Sequence, residues 1–192
     1  SGGLIPVGAV LMSDEVYTSV YTSFKRAIVH TSTYSENGLA MRAGLAALDV
    51  LEDEDLGARA ARLGAILRER LRTRLAGYSM VKDVRGLGLL SGIEFQAPRE
   101  LRLKIPYRAF GRIHPAMFGQ VLVMRLFRDC AIYSQICGNN FLVLKASPAL
   151  NVGEAQLDAY VDGLEAIVAL MHGSYRFWGE ALGMARRVLD VI

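Results

Sequence analysis

The chain has 192 residues, 52% of them hydrophobic and 21% charged, with a formal net charge of +3. That is ordinary globular material, long enough for one large domain or for a lobe with an appendage. The charge excess is too small to argue for nucleic acid. The two cysteines, Cys130 and Cys137, cannot form a disulfide framework, and with His30, His114 and His172 they lack metal-ligand spacing.

No run of 18 apolar residues is present, so no membrane partner is expected. No secretory leader is expected either, and a reduced, cytoplasmic compartment is the default. Leu4–Met12 is almost wholly apolar and reads as a strand buried on both faces. A domain seldom opens that way, so the sequence is expected to be part of something longer. Ser13 or Asp14 caps a short helix over Asp14–Val20, and Lys25–His30 reads as extended. The polar loop His30–Gly38 then feeds a small-residue helix, Leu39–Val50. Such a loop is either a capped, solvated turn or a place where a helix N-terminus holds an anion.

The acidic run Glu52–Asp55 precedes a helix whose apolar stripe is Leu56, Ala60, Leu63, Leu67, Leu71 and Leu75, closed by Gly77. Its arginines read as the wet face. Val81–Phe95 is extended, its second half a strand, and glycines 86, 88 and 92 suggest close backbone approach or a bulge. No strand-GxGxxG-helix unit exists, which removes a dinucleotide fingerprint. Gln96–Lys104 reads as a polar linker and Tyr107–Phe118, broken by Pro115, as irregular. A helix over Gly119–Asp129 follows. Ala131–Ile136 and Phe141–Lys145 are expected as strands joined through Gly138-Asn139-Asn140. A long helix from Glu154 buries Leu157, Val161, Leu164, Ile167, Val168 and Met171. Tyr175–Ile192 reads as a second helix, docked on a partner surface or neighbouring lobe, or packed on its own domain.

Spacing alone assembles no catalytic constellation: there is no GxSxG elbow, and neither Cys137 nor His114 has a partner nearby in sequence. Two features remain. One is the loop at 30–38. The other is Lys145, at the end of an apolar strand, which is either a carboxylate anchor or a surface lysine with its stem laid along the protein.

Four segments in order, SGGLIPVGAVL, HTSTYSENG with its small-residue helix, VRGLGLLSGIEF and FLVLKASPAL, resemble the C-terminal half of class III aminotransferases, pyridoxal-phosphate (PLP) enzymes of fold type I. The resemblance implies an α/β fold made of the end of the large domain plus the small C-terminal α/β domain. The implied parts are 1–50 in the PLP-binding domain, 51–77 as a bridging helix, 78–172 as the small domain, and 173–192 as an extra helix beyond the family's usual end. It further implies transamination between an amino donor and an oxo-acid or aldehyde acceptor. A related aminomutase or decarboxylase, or a non-enzymatic module with the same half-fold, is the alternative.

By the same resemblance the Schiff-base lysine stands just ahead of Gly2-Gly3. This chain therefore holds no catalytic residue and is expected to be inactive without the missing N-terminal half. His30 and Thr33 match the family's H-x-x-T. Thr33, with Ser32 beside it, is implied in binding the cofactor phosphate of the homodimer partner. Lys145 matches the arginine that binds the substrate carboxylate, and Arg85 matches a structural arginine. Two departures stand out. Glu36 occupies a position where glycine is common, and Lys145 is a point charge instead of a fork.

Overall fold

The computed structural model describes residue 3 and residues 5–175, 177–179, 182 and 183. It divides into two compact units, Ser1–Leu56 and Gly57–Ile192.

The first unit holds two helices and irregular chain. Helix α1 (Asp14–Val20) starts where the Ser13 hydroxyl accepts from the Val16 amide at 3.3 Å, and acidic Asp14 and Glu15 suit the positive end of the helix. Phe24–Arg26 is a single 3₁₀ turn, so the extended reading of Lys25–His30 is corrected. Helix α2 (Gly38–Asp53) is capped by Asn37, whose side-chain oxygen accepts from the Ala40 amide at 3.1 Å.

The strand expected over Leu4–Met12 is not formed among the described residues, which is a second correction. Apolar sequence supplies a strand's side chains but not the neighbour that its N–H and C=O groups require. No described strand pairs with this segment. Leu11 is instead 95% exposed and Val10 81%. Only Ala40 and Leu56 are buried among the unit's described residues.

The second unit is built on α3 (Leu56–Leu75), a four-stranded antiparallel sheet, and three further helices. The sheet comprises β1 (Val81–Leu87), β2 (Leu90–Phe95), β3 (Gln135–Ile136) and β4 (Val143–Ala146), in the spatial order β1-β2-β4-β3. Helices α4 (Leu101–Ile113) and α5 (Met117–Cys130) lie between β2 and β3 in sequence, and α6 (Glu154–Gly173) follows β4. One sheet face, carrying Val84, Ile93 and Leu144, is buried with the leucine stripe of α3 and the apolar sides of α5 and α6 in one core. All six residues expected on the buried side of α6 are in that core.

Glycines set how closely these parts meet. Gly88 opens the two-residue β1–β2 turn at φ +52°, the first-position glycine that twisted hairpins favour. Its carbonyl lies so near α3 that a Cβ on Gly64 would stand 1.7 Å from that oxygen. Arg68 of α3 donates to the same carbonyl at 2.5 Å, and Arg72 donates twice to the Val84 carbonyl, at 2.7 and 3.1 Å. The arginine-rich face is therefore only partly wet, because two of its members fasten the hairpin. The pairing of β1 with β2 shifts register between Val81 and Asp83, away from the glycines, while Gly86 and Gly92 pair in regular register, so their role is close approach: a Cβ on Gly86 would stand 2.2 Å from the Leu90 carbonyl oxygen.

Helix α4 is a third correction, since its sequence reads as linker and irregular chain. Pro106 lies inside it and denies the Arg102 carbonyl its helical partner. Leu103, Tyr107 and Phe110 nevertheless fall on one side at helical spacing, and Leu103 and Phe110 are 1% exposed, so burial outweighs the lost bond. The helix stops at His114, extended at φ −161° ahead of Pro115. Of the expected C-terminal helix, Tyr175, Phe177–Gly179, Leu182 and Gly183 are described and helical; the rest lies outside the described residues. Phe177 and Trp178 are buried in the core of this same unit.

Gly64→Ala should cost about 1–3 kcal/mol or prevent folding, because backbone must move to admit the methyl. Gly57→Ala, whose Cβ meets nothing within 4 Å, should be neutral or stabilise by up to about 1 kcal/mol. Chemical denaturation of the two variants checks the contrast.

Candidate functional site

The sequence offers two places for chemistry, one in each unit. In the first, Ser32–Ser35 form a tight turn: the Ser35 amide donates to the Ser32 carbonyl at 3.1 Å. The Ser32 amide donates back to the Ser35 hydroxyl at 3.0 Å, and the two hydroxyls are 3.1 Å apart. Ser32 is thus engaged in holding the turn. Thr33, at its corner, is exposed, and its hydroxyl makes no hydrogen bond to a described residue. Beyond the turn, Asn37 caps α2, while the amides of Gly38 and Leu39 stay outside the helix's own ladder and face the loop end of its dipole. A free hydroxyl, first-turn amides and a helix of 16 residues are a donor set suited to an anion.

Glu36 is exposed at φ +57°, in the left-handed region. That conformation costs a side-chain-bearing residue about 1–2 kcal/mol. It gives a physical reason for glycine at this position, since glycine adopts that conformation without the cost. His30 is exposed and has no hydrogen bond to a described residue.

In the second unit, Lys145 lies in β4 between buried Leu144 and Ala146, beside Gly92 of β2 and Gln135 of β3. It is half-buried and makes no ion pair with a described residue. It lines a cavity of about 200 Å³ with Ser134, Ser147, Gln156, Tyr160 and apolar residues that include Leu67 and Leu157, and no carboxylate lines it. The Ser134 hydroxyl donates to the Lys145 carbonyl at 2.9 Å, and the Gln156 side-chain oxygen accepts from the Gly153 amide at 3.0 Å. Burial pushes the Tyr160 phenol well above its ordinary value, so it keeps its proton. One cation, hydroxyl donors and an apolar wall suit a small carboxylate. Sequence reading missed Tyr160 and Ser134. Tyr160 could have been found as a polar tip on the Leu157–Val161–Leu164 stripe of α6, whereas Ser134 gave no signal.

Arg85 is not free for a ligand. It pairs with Asp83 at 3.0 Å and with Glu94, and Lys82 holds the other oxygen of Glu94 at 2.6 Å. Hydrogen bonds from Lys82 first, then Arg85, hold the Glu94 carboxyl below its ordinary value. The structural role implied for Arg85 agrees with this network. Among the described residues there is no cluster of metal-ligating side chains, and no helix is long and apolar enough to cross a membrane.

The sequence model of the family described as class III aminotransferases matches residues 1–168. An uncharacterized aminotransferase of Schizosaccharomyces pombe is 33% identical over 177 residues, covering 88% of this chain and 34% of the relative. A leucine/methionine racemase of Thermococcus litoralis is 30% identical over 168 residues, again 88% of this chain and 34% of the relative. A solved amine transaminase from an uncultivated Pseudomonas species, in its PLP-bound form, has a TM-score of 0.68 at 28% identity, covering 87% of this chain and 36% of that one. The chain therefore spans about a third of the length of these relatives.

The Glu94 network predicts an acid-sensitive step. A carboxyl whose value is lowered on folding contributes stability above the ordinary carboxylate range and loses it as pH falls through the lowered value. Glu94→Gln should therefore lower Tm at pH 7, with the gap closing below about pH 4. Thermal melts from pH 7 to 3 measure it, and a constant gap would contradict the network's role.

Proposed function

This chain belongs to the class III aminotransferase family, and we propose that the enzyme containing it transfers an amino group from an amino acid or ω-amine to an oxo-acid or aldehyde. The cofactor proposed is PLP, which when bound supplies the electron sink for cleaving and forming bonds at the amino-bearing carbon. The observation that carries the reading is the Thr33 hydroxyl at the corner of the turn ahead of α2, which makes no hydrogen bond to a described residue. A hydroxyl in that state can donate to a phosphate oxygen, and the N-terminus of α2, which follows the loop in sequence, favours an anion, which together support the reading.

Ser32 belongs to this site as the residue that shapes the turn. Its own hydroxyl is already shared with Ser35. Lys145 is proposed to attract the substrate carboxylate, with Tyr160 and Ser147 as neutral neighbours in the same cavity. A lysine gives a single rotatable point charge, so orientation of that carboxylate relies on its neighbours more than it would with an arginine.

The exposed apolar residues of the first unit, Val10 and Leu11 among them, support burial against other protein in the intact enzyme. The proposed partners are the N-terminal half of the same enzyme and a second subunit, so that Thr33 serves the cofactor of its neighbour. This chain alone is proposed not to transaminate, since the resemblance puts the Schiff-base lysine outside it.

The racemase among the relatives gives a second reading some support, namely chemistry at the same carbon without loss of the amine. Measurements on the intact enzyme separate the roles. Thr33→Ala should weaken PLP affinity about tenfold, the worth of roughly one charge-assisted hydrogen bond, and Thr33→Ser should restore most of it. Unchanged affinity in Thr33→Ala would remove the phosphate role. Lys145→Ala should raise KM for a carboxylate substrate about tenfold or more and leave a substrate lacking that carboxylate unaffected. Equal effects on both substrates would assign Lys145 a structural role.

A further inference from the structure

The family match stops at residue 168, yet described residues beyond it, Met171, Phe177 and Trp178, belong to the core of the second unit. After α6 the chain turns through His172, Gly173 and Ser174, and the extended Ser174 hydroxyl accepts from the Phe177 amide at 3.3 Å, starting a new helical turn. That turn drops two aromatic rings into the second unit, with Phe177 at 4% and Trp178 at 3% exposure. The Trp178 indole N–H donates to the Met171 carbonyl of α6 at 2.9 Å. Its ring meets Phe110 of α4 edge-on with centroids 5.4 Å apart, and the Arg125 guanidinium of α5 lies 5.3 Å from the centre of Phe177. One short segment therefore touches all three helices.

The helix with most to gain is α4. It carries Pro106, its first residue has no side-chain cap, and only Leu103 and Phe110 within it are fully buried. It is held at its start by Ser79, which accepts from the Arg99 amide at 3.1 Å and donates to the Glu100 carboxylate. Its middle is held by Tyr107, whose ring lies 5.4 Å from that of Phe118. Its last turn is held by Phe110 against Trp178. Tyr107 and Gly111, on either side of Phe110 in sequence, also line a cavity of about 400 Å³ with Phe118 and the Asn139–Leu142 loop.

We infer that Ser174, Phe177 and Trp178 form a clasp that fixes the last turn of α4, and with it one wall of that cavity, to α5 and α6. Without the clasp the Phe110 ring loses its aromatic neighbour, and the final turn of a proline-interrupted helix opens readily. The clasp acts on the opening of α4 and not on the stability of α3 or the β1–β2 hairpin, whose fastening by Gly64, Arg68 and Arg72 is separate.

Hydrogen exchange on the full-length enzyme tests this through Trp178→Ala and Trp178→Phe. The alanine variant should exchange at least tenfold faster in peptides from 107–113, with peptides from α3 and β1–β2 unchanged. The phenylalanine variant, which keeps a ring but loses the N–H, should fall between it and the parent. Equal acceleration in all elements, or none in α4, would overturn the clasp. If Trp178→Ala does not fold, Trp178→Phe decides alone: acceleration confined to α4 supports the clasp, and uniform or absent acceleration overturns it.

Discussion

The second unit depends on one close approach, the passage of the β1–β2 turn over Gly64 of α3. With hydrogen in place of a methyl at that point, the Gly88 carbonyl comes near enough for Arg68 to donate to it, and Arg72 can reach the Val84 carbonyl on the same hairpin. These contacts settle the distance between helix and sheet. The leucines at 63, 67 and 71 then meet Ile93 and Leu144 in one core. They also place β4, because β4 pairs with β2, and so they place Lys145 and the cavity it shares with Leu67 of α3. A constraint in the fold is thereby a constraint on the candidate carboxylate site.

The same helix is tied to α6 by exposed ion pairs. Arg62 and Arg70 meet Glu154, Arg70 also meets Asp158, and Arg74 meets Asp162 and Glu165. Pairs at a surface are screened by water and salt, so their contribution is register more than strength. That register matters locally, since α6 brings Gln156 and Tyr160 to the cavity. The first unit works differently. Its candidate site is local, made by a four-residue turn and a helix cap, and its geometry follows from neighbours in sequence.

That difference explains what could be read beforehand. The helices over Asp14–Val20 and Leu56–Leu75 and the buried stripe of α6 were legible, because caps and a 3.6-residue period are carried by the residues themselves. Thr33 was legible only through resemblance. Its distinction from Ser32 came from the Ser32–Ser35 hydrogen bonds, which the sequence does not announce. The strand expected over Leu4–Met12 failed because a strand is defined by its neighbour. Helix α4 was missed because the polar run Gln96–Lys104 and the break at Pro115 hid a stripe whose value lies in burial. Tyr160 was visible in the pattern but silent about its cavity until β4 was placed. The helix over Tyr175–Ile192 read either as docked on a partner surface or neighbouring lobe or as packed on its own domain, and its residues Phe177 and Trp178 pack in the core of their own unit.

On the proposed reading the intact enzyme moves an amino group, with Thr33 serving the cofactor phosphate and Lys145 the substrate carboxylate. The most direct measurement is a single turnover of the intact, PLP-loaded enzyme with one amino donor and no acceptor. The account predicts about one equivalent of the matching oxo acid or aldehyde per subunit. Return of the donor as a racemate, or its conversion to an amine with loss of carbon dioxide, without oxo product, would contradict it.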